Sequence, residues 1–123
     1  MQTFTKAERL CSKVLIDKLV ETGKSFNSFP FRIIWLEVVE NSASVQVVIS
    51  VPKRIFKSAV DRNRLKRLTR EGYRLNKQFL YDALNNKKIL LMLVYTSKTI
   101  IEYKEMEEKI KEALQRLSKN INL

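Results

Sequence analysis

The sequence predicts an α+β fold: a two-layer sandwich in which three helices pack on a small, mostly antiparallel sheet of about four strands. Three segments space their apolar residues three and four apart, as amphipathic helices do, and several short runs are rich in β-branched and aromatic residues, which favour strands. The segments follow the order α-β-β-(β)-α-β-α, and the topology beyond this order does not follow from the pattern alone. The 123 residues, 45% of them apolar, suffice for one core, and we assign residues 1–123 to a single domain.

The first helix is predicted over residues 5–21. Thr5 and Glu8 have the spacing of a capping box at its start, and Gly23 is suitably placed to cap its end. The polar residues 24–28 that follow predict a connection rather than a strand.

Two strands are predicted next, over residues 29–39 and 45–51, joined by a hairpin-length turn at residues 40–44. A short further strand is possible at residues 53–56. Alternation divides the side chains of the first strand between two faces: Phe31, Ile33 and Trp35 on one, Arg32, Ile34 and Leu36 on the other. For the aromatic side chains on this strand we expect ordinary core packing.

A long helix is predicted from Ser58, whose side chain can cap it, to residues 85–86. Asp61 in the first turn favours the positive end of the helix dipole. The apolar stripe that should bury this helix comprises Leu65, Leu68, Gly72, Leu75 and Phe79. Glycine inside a helix costs about 1 kcal/mol relative to alanine, so we expect Gly72 to pack closely against a strand.

The last two elements are a strand over residues 89–95 and a helix over residues 102–120. The strand sequence ILLMLVY is almost wholly apolar, which predicts burial on both faces. The charges of the last helix nearly cancel, so a structural role is expected.

Composition excludes several classes of site. With no histidine and one cysteine, Cys11, the chain cannot form a zinc site, a Cys–His dyad or a Ser–His–Asp triad. Two glycines cannot supply a glycine-rich phosphate loop, and no apolar run is long enough to span a membrane. The N-terminal sequence is unlike a secretory signal, and the lone cysteine, expected to be partly buried, fits a reducing cytoplasm.

Residues 53–77 concentrate the positive charge of the chain. Ten lysines and arginines stand there against two acids, a net charge of +8 out of +11 for the whole sequence. With about 3.6 residues per turn, Arg64 falls on a flank of the helix. Seven other side chains fall roughly opposite the apolar stripe: Arg62, Asn63, Lys66, Arg67, Arg70, Arg74 and Lys77. Like charges four residues apart cost stability unless a ligand neutralises them, so this face predicts binding of a nucleic acid.

The basic helix resembles the signature of the bacterial ribonuclease P protein family. The resemblance rests on AVDRNRLKRLTRE at positions 59–71, with Arg62-Asn63-Arg64 at its core, together with ISVPKRI at 49–55 and RLCSKVLIDKLVETGKSF at 9–26. It implies a compact α/β sandwich with an unusual left-handed β-α-β crossover. It also implies an accessory, RNA-binding subunit of a ribonucleoprotein endonuclease that removes the 5′ leader from precursor tRNA.

The resemblance further implies partners and site residues. The partners would be the ribonuclease P catalytic RNA and precursor tRNA, with Mg²⁺ held mainly by the RNA subunit and substrate. The protein would be a cytoplasmic monomer apart from RNA, without catalytic residues, membrane attachment or a small-molecule substrate. The residues implied to contact the catalytic RNA are Arg62, Asn63, Arg64, Lys66, Arg67, Arg70 and Arg74.

The resemblance implies that the single-stranded leader lies in a cleft between the sheet, the first helix and the basic helix. Candidate cleft residues are Arg9, Ile16, Phe26, Arg32, Lys53 and Arg54. The family commonly places aromatic residues, which stack on unpaired bases, at the positions of Ile16, Val20 and Ile34. Two alternatives follow: charge and apolar contact hold the leader, or a ring of Phe26, Phe31 or Trp35 does.

Other functions share some of these features. A generic structured-RNA-binding or ribosomal protein would have similar charge and fold. A sequence-specific DNA-binding protein usually reads bases with a few side chains at a helix N-terminus, whereas this basic face extends over several turns. A metal nuclease needs paired acids, but the acids here are scattered at Glu37, Asp61, Glu71 and Asp82. If RNA is the ligand, Arg62 and Arg64 should point to solvent, and replacing either should weaken binding with little effect on folding.

Overall fold

The computed structural model describes residues 6–39 and 43–122. After a short 3-10 turn, the elements are α1 (Lys13–Thr22), β1 (Lys24–Ser28), β2 (Phe31–Val38), β3 (Val45–Ser50), α2 (Ala59–Ala83), β4 (Lys88–Tyr95) and α3 (Tyr103–Ile121). The predicted α+β class, with three α-helices and a four-stranded sheet, is confirmed. No helix within the described ranges combines the length and apolar character that crossing a bilayer requires.

The sheet has the strand order β1-β2-β4-β3. β2 is antiparallel to both β1 and β4, whereas β3 runs parallel to β4. The expected hairpin between residues 29–39 and 45–51 is therefore wrong, because β4 lies between these strands. This order places the most apolar strand at the centre of the sheet, and α2 forms the β3-α2-β4 crossover. The left-handed crossover implied by the family resemblance stays a prediction.

The fourth strand differs from the expected one. Residues 24–28, predicted as a connection, form the edge strand β1. Residues 53–56, where a short strand was possible, form a turn instead. The Pro52 carbonyl accepts hydrogen bonds from the Ile55 and Phe56 amides at 3.1 and 3.2 Å. The faces of this edge strand are little covered: three of the five residues of β1 are exposed and only Ser28 is buried. A polar segment can therefore serve as β1.

The first helix begins later than predicted, at Lys13 rather than residue 5. Ser12 caps it by accepting a hydrogen bond from the Leu15 amide at 3.3 Å. Thr5 of the expected capping box lies outside the described residues, and Glu8 pairs elsewhere, as described below. Gly23 caps the end of α1 as predicted, with its amide 2.8 Å from the Leu19 carbonyl.

The two faces of the sheet carry separate cores. Helices α2 and α3 cover the face that includes Phe31 and Trp35, which are 1% and 5% exposed, so their predicted core role is confirmed. α1 covers part of the other face, over a smaller core formed by Leu10, Leu19, Ile34 and Leu90. On that second face Arg32 is exposed and Val48, Met92 and Val94 are only half-buried, and we call these four residues the open sheet face. The prediction that β4 is buried on both faces is wrong at Met92 and Val94.

Helix α2 is rotated relative to the predicted stripe. Ser58 caps it as expected, but its buried side is formed by Leu65, Thr69, Gly72, Tyr73, Lys77 and Leu80. Leu75 and Phe79, assigned to the stripe, are 41% and 52% exposed. The rotation lets Tyr73 reach the core on the sheet while the helix also packs against α3.

Gly72 packs against a helix and not against the strand that we expected. A Cβ at this position would lie 2.6 Å from Cδ1 of Ile110 in α3. The missing side chain thus allows α2 and α3 to approach each other closely at this point.

Candidate nucleic-acid interface

Four polar side chains of α2 are exposed along one side of the helix: Asn63, Arg64, Arg67 and Arg70. Within the described part of the chain, no carboxylate lies within ion-pair distance of the three arginines. Lys66, between them in sequence, is half-buried. Unneutralised guanidinium groups spaced three residues apart favour an external polyanion such as an RNA backbone.

Arg62 has a structural role that the sequence did not reveal. Its Nη1 donates to the backbone carbonyls of Phe56 and Lys57, both at 2.8 Å, and the residue is half-buried. The prediction that Arg62 simply points to solvent is therefore wrong. A guanidinium group has five N–H donors, so the remaining three can still reach a phosphate.

Two further cations of the basic stretch are engaged within the protein. Arg74 Nε donates to Glu71 Oε2 at 3.1 Å, and this hydrogen bond holds the pKa of the Glu71 carboxyl below its usual value. Lys77 is buried and forms an ion pair with Glu8 at 2.7 Å, so its predicted place on the basic face is wrong. The positive charge available to a ligand is thus concentrated in the first half of α2.

A groove of about 200 Å³ runs beside this charge, along the outer edge of β3. Its walls are residues 9–11, residues 47–49 of β3, and Lys66 and Arg70 of α2, and we call it the edge groove. The Leu10 amide donates to the Val47 carbonyl at 2.9 Å, which holds residues 9–11 against the strand. Val48 belongs to the open sheet face, so the edge groove connects that face to the basic side of α2.

Three of the candidate leader residues lie at the edge groove or on the sheet face that carries the smaller core. Arg9 lines the groove, and Ile16 of α1 is half-buried against the smaller core. Arg32 is exposed on β2, where it is paired in register with Val94. Lys53 and Arg54 are exposed in the turn that follows β3. These positions are compatible with the predicted cleft, although binding of the leader by them stays a prediction.

The structure does not bring Phe26 to this cleft. Phe26 pairs in register with Ile33 on the opposite sheet face, and its ring centroid lies 5.1 Å from the Arg116 guanidinium carbon. Among the positions where the family commonly has aromatics, Ile34 is buried and Val20 is 53% exposed.

The residues that sequence reasoning missed are the apolar walls of the edge groove. Leu10 was placed inside the predicted first helix and residues 47–49 only within a predicted strand, and Cys11, expected to be partly buried, is exposed. The sequence contained a signal for this arrangement: serine is a preferred N-cap residue, so Ser12 could have marked the start of the helix. A helix that begins there leaves residues 9–11 to follow the strand.

The donor set does not fit a metal held by the protein alone. Across residues 6–39 and 43–122, no three acidic or cysteine side chains come together in a group that could hold a metal ion.

Comparison with known proteins decides the family. Residues 4–118 match the sequence profile of the Ribonuclease P family. The chain belongs to the ribonuclease P protein family. The ribonuclease P protein component of Porphyromonas gingivalis is 33% identical over 121 residues, which cover 96% of this chain and 88% of that protein. The component of Chlorobium phaeobacteroides is 38% identical over 85 residues, covering 66% of this chain and 58% of the relative.

Solved structures of ribonuclease P proteins share the fold. The protein from Thermotoga maritima superposes with a TM-score of 0.70 at 23% identity, covering 89% of this chain and 96% of that one. The protein from Staphylococcus aureus gives a TM-score of 0.69 at 20% identity, with 91% and 96% covered.

The predicted family, fold class and accessory role are thereby confirmed. The chain is an accessory subunit of an endoribonuclease that acts in tRNA processing, and it has an RNA partner.

Proposed function

We propose that the chain works as one RNA-binding domain of ribonuclease P and that it contacts two RNAs. The catalytic RNA would bind the exposed side of α2, and the 5′ leader of precursor tRNA would bind the edge groove and the open sheet face. The observation that carries this proposal is the position of Arg64, Arg67 and Arg70. All three are exposed, and none has a carboxylate of the described residues within ion-pair distance. They lie next to the edge groove, which Arg70 itself lines.

The contact with the catalytic RNA follows from the chemistry of the exposed face. Folded RNA presents phosphates and 2′-hydroxyls more accessibly than base edges, so a protein reads its shape. Arginine forks bind phosphate oxygens in pairs, and Asn63 can both donate to a phosphate and accept from a 2′-hydroxyl. Arg62, with three N–H donors left, would add to this surface while holding the segment before α2.

The structure favours one of the two alternatives for the leader. Phe31 and Trp35 are almost fully buried, and Phe26 lies on the opposite sheet face, so none of these rings is presented to the cleft. The half-buried Val48 and Met92 offer apolar contacts instead. We therefore propose that the leader is held by apolar contact with its bases and by charge on its phosphates. The proposed charged contacts are Arg9, Arg32, Lys53, Arg54 and Lys66.

The hydrolysis itself is assigned to the RNA. The acids of the described residues form no cluster suited to a metal, so we propose that Mg²⁺ is held by the RNA subunit and the substrate. The protein would then act in the cytoplasm as a monomer apart from RNA, binding and orienting the two RNAs. A generic structured-RNA-binding role has no observation in its favour beyond the shared charge.

The test is the salt dependence of binding to a bacterial ribonuclease P RNA. The variant Arg64→Ala/Arg67→Ala/Arg70→Ala should bind more weakly, and the slope of log affinity against log salt should become shallower by about two to three. The matched control Lys98→Ala/Lys104→Ala/Lys119→Ala removes three exposed charges from the segments outside α2 and should leave the slope near the wild-type value. Equal loss of slope in both variants would show that α2 is not a specific RNA surface.

A further inference from the structure

A buried ion pair joins the N-terminal segment to the interior side of α2. Lys77 Nζ donates to both carboxylate oxygens of Glu8, at 2.7 and 3.0 Å, and each side chain is only 9% exposed. The Tyr81 hydroxyl donates to the same carboxylate at 2.5 Å, and burial raises the pKa of Tyr81, so it stays a donor. We call Glu8, Lys77 and Tyr81 the Glu8 cluster.

The Glu8 cluster is a costly way to stabilise a core. Two charges lose their hydration on burial, and apolar residues of similar volume often serve as well or better. What the buried ion pair can provide is structural specificity, because the carboxylate is satisfied only where it contacts the ammonium group and the hydroxyl together. Glu8 lies 69 residues before Lys77 in the chain, so the pair fixes one segment against another.

The residues that the cluster fixes lead directly into the edge groove. On both sides of Glu8 the chain is bonded to β3: the Gln46 side chain donates to the Ala7 carbonyl at 3.0 Å, and the Leu10 amide donates to the Val47 carbonyl at 2.9 Å. Residues 9–11 then form one wall of the groove. If Glu8 were released, this wall would lose its anchor on α2.

We propose that Lys77 is a positioning residue for the leader: through Glu8 it holds residues 9–11 against β3, so that the wall of the edge groove is in place before RNA binds. This rests on the proposed assignment of the groove to the leader. Lys77 belongs to the basic stretch in sequence, but it contacts no RNA. A pre-formed wall strengthens binding because no binding energy is spent on ordering residues 9–11. The apparent affinity for the leader equals the intrinsic affinity multiplied by the fraction of protein in which the wall is in place.

The first test compares Lys77→Met with wild type in the reconstituted holoenzyme. Affinity is measured for a precursor tRNA and for the same tRNA without its leader, and their ratio reports the contribution of the leader. We expect this ratio to fall about tenfold in Lys77→Met, while affinity for the catalytic RNA changes about twofold or less. Arg67→Met gives the matched contrast on the same helix: weaker binding of the catalytic RNA with the leader ratio unchanged.

A rescue variant separates positioning from loss of charge. Glu8→Leu/Lys77→Met/Tyr81→Phe replaces the cluster with apolar side chains, which can dock the segment without an ion pair, and should restore most of the leader ratio. Should Lys77→Met fail to fold, Glu8→Gln keeps an acceptor for Lys77 and should lower the ratio by a smaller factor. Equal losses of affinity for the leader and for the catalytic RNA would overturn the proposal.

Hydrogen exchange tests the positioning without any RNA. The Leu10 amide, bonded to Val47, should exchange at least about tenfold faster in Lys77→Met, because the segment opens more often. Unchanged exchange at Leu10 together with an unchanged leader ratio would refute the role of Lys77. A wild-type holoenzyme that shows no leader preference would instead refute the assignment of the groove, and exchange at Leu10 would still decide whether Lys77 positions residues 9–11.

Discussion

Replacing Arg62 by alanine removes two hydrogen bonds that hold the segment before α2. Arg62 Nη1 reaches back to the carbonyls of Phe56 and Lys57, both at 2.8 Å. That segment turns the chain from β3 into the N-terminus of α2, which Ser58 caps. Arg62→Ala would therefore loosen the start of the helix that carries the basic face.

The expected loss follows from the two hydrogen bonds. Hydrogen bonds that involve a charged group contribute about 1.5–3 kcal/mol each in favourable settings. Arg62 is half-buried and its bond to Lys57 is exposed to water, so we expect about 1–2 kcal/mol in total. For a domain of this size that corresponds to a fall in Tm of about 4–8 °C.

Urea and thermal unfolding, followed by circular dichroism, measure this effect. Arg64→Ala is the control, because Arg64 is exposed two residues away; its free energy of unfolding should stay within about 0.5 kcal/mol of wild type. Arg62→Lys, which can reach one carbonyl, should fall between the two. Superimposable unfolding curves for Arg62→Ala and Arg64→Ala would refute a structural role for Arg62.

Three further predictions concern packing, pH and salt. Gly72→Ala should stay within about 1 kcal/mol of wild type, because the Ile110 methyl can move, whereas Gly72→Leu should cost about 2–3 kcal/mol in urea unfolding. Burial raises the pKa of the Tyr73 and Tyr81 hydroxyls above the usual 10.0. The unfolded chain therefore loses these protons at a lower pH than the folded chain, and the free energy of unfolding falls as pH rises above about 10. Tyr81→Phe should reduce this fall, which is measured by comparing urea midpoints at about pH 8 and pH 11. Binding to catalytic RNA should weaken as about the fourth to fifth power of salt if roughly six phosphates are neutralised; a flat profile would indicate another kind of partner.

Local signals predicted α2, α3 and three of the four strands correctly. Ser58 and the apolar spacing that follows it are enough to place α2, and the same spacing placed α3 within one residue at each end. The alternation along β2 correctly separated Phe31, Ile33 and Trp35 from Ile34. Such patterns are local, so a single segment contains the information.

Features that depend on distant segments could not be read from the sequence in this way. Nothing in residues 45–51 shows that their partner is β4 and not β2, because strand pairing is decided by the whole sheet. Lys77 has the spacing of a surface cation, and its burial requires Glu8, which lies 69 residues away. The Ser12 cap marks where α1 begins, but the position of residues 9–11 against β3, which forms one wall of the edge groove, depends on tertiary contacts at Leu10.

Cleavage by a reconstituted holoenzyme tests the central claim most directly. The purified protein is mixed with a bacterial ribonuclease P RNA and labelled precursor tRNA, at a Mg²⁺ concentration too low for the RNA to cleave alone. We expect the protein to restore cleavage at the mature 5′ end, and the Arg64→Ala/Arg67→Ala/Arg70→Ala variant to restore far less. Absence of stimulation by the wild-type protein, together with tight binding to unrelated structured RNA, would contradict the proposed function.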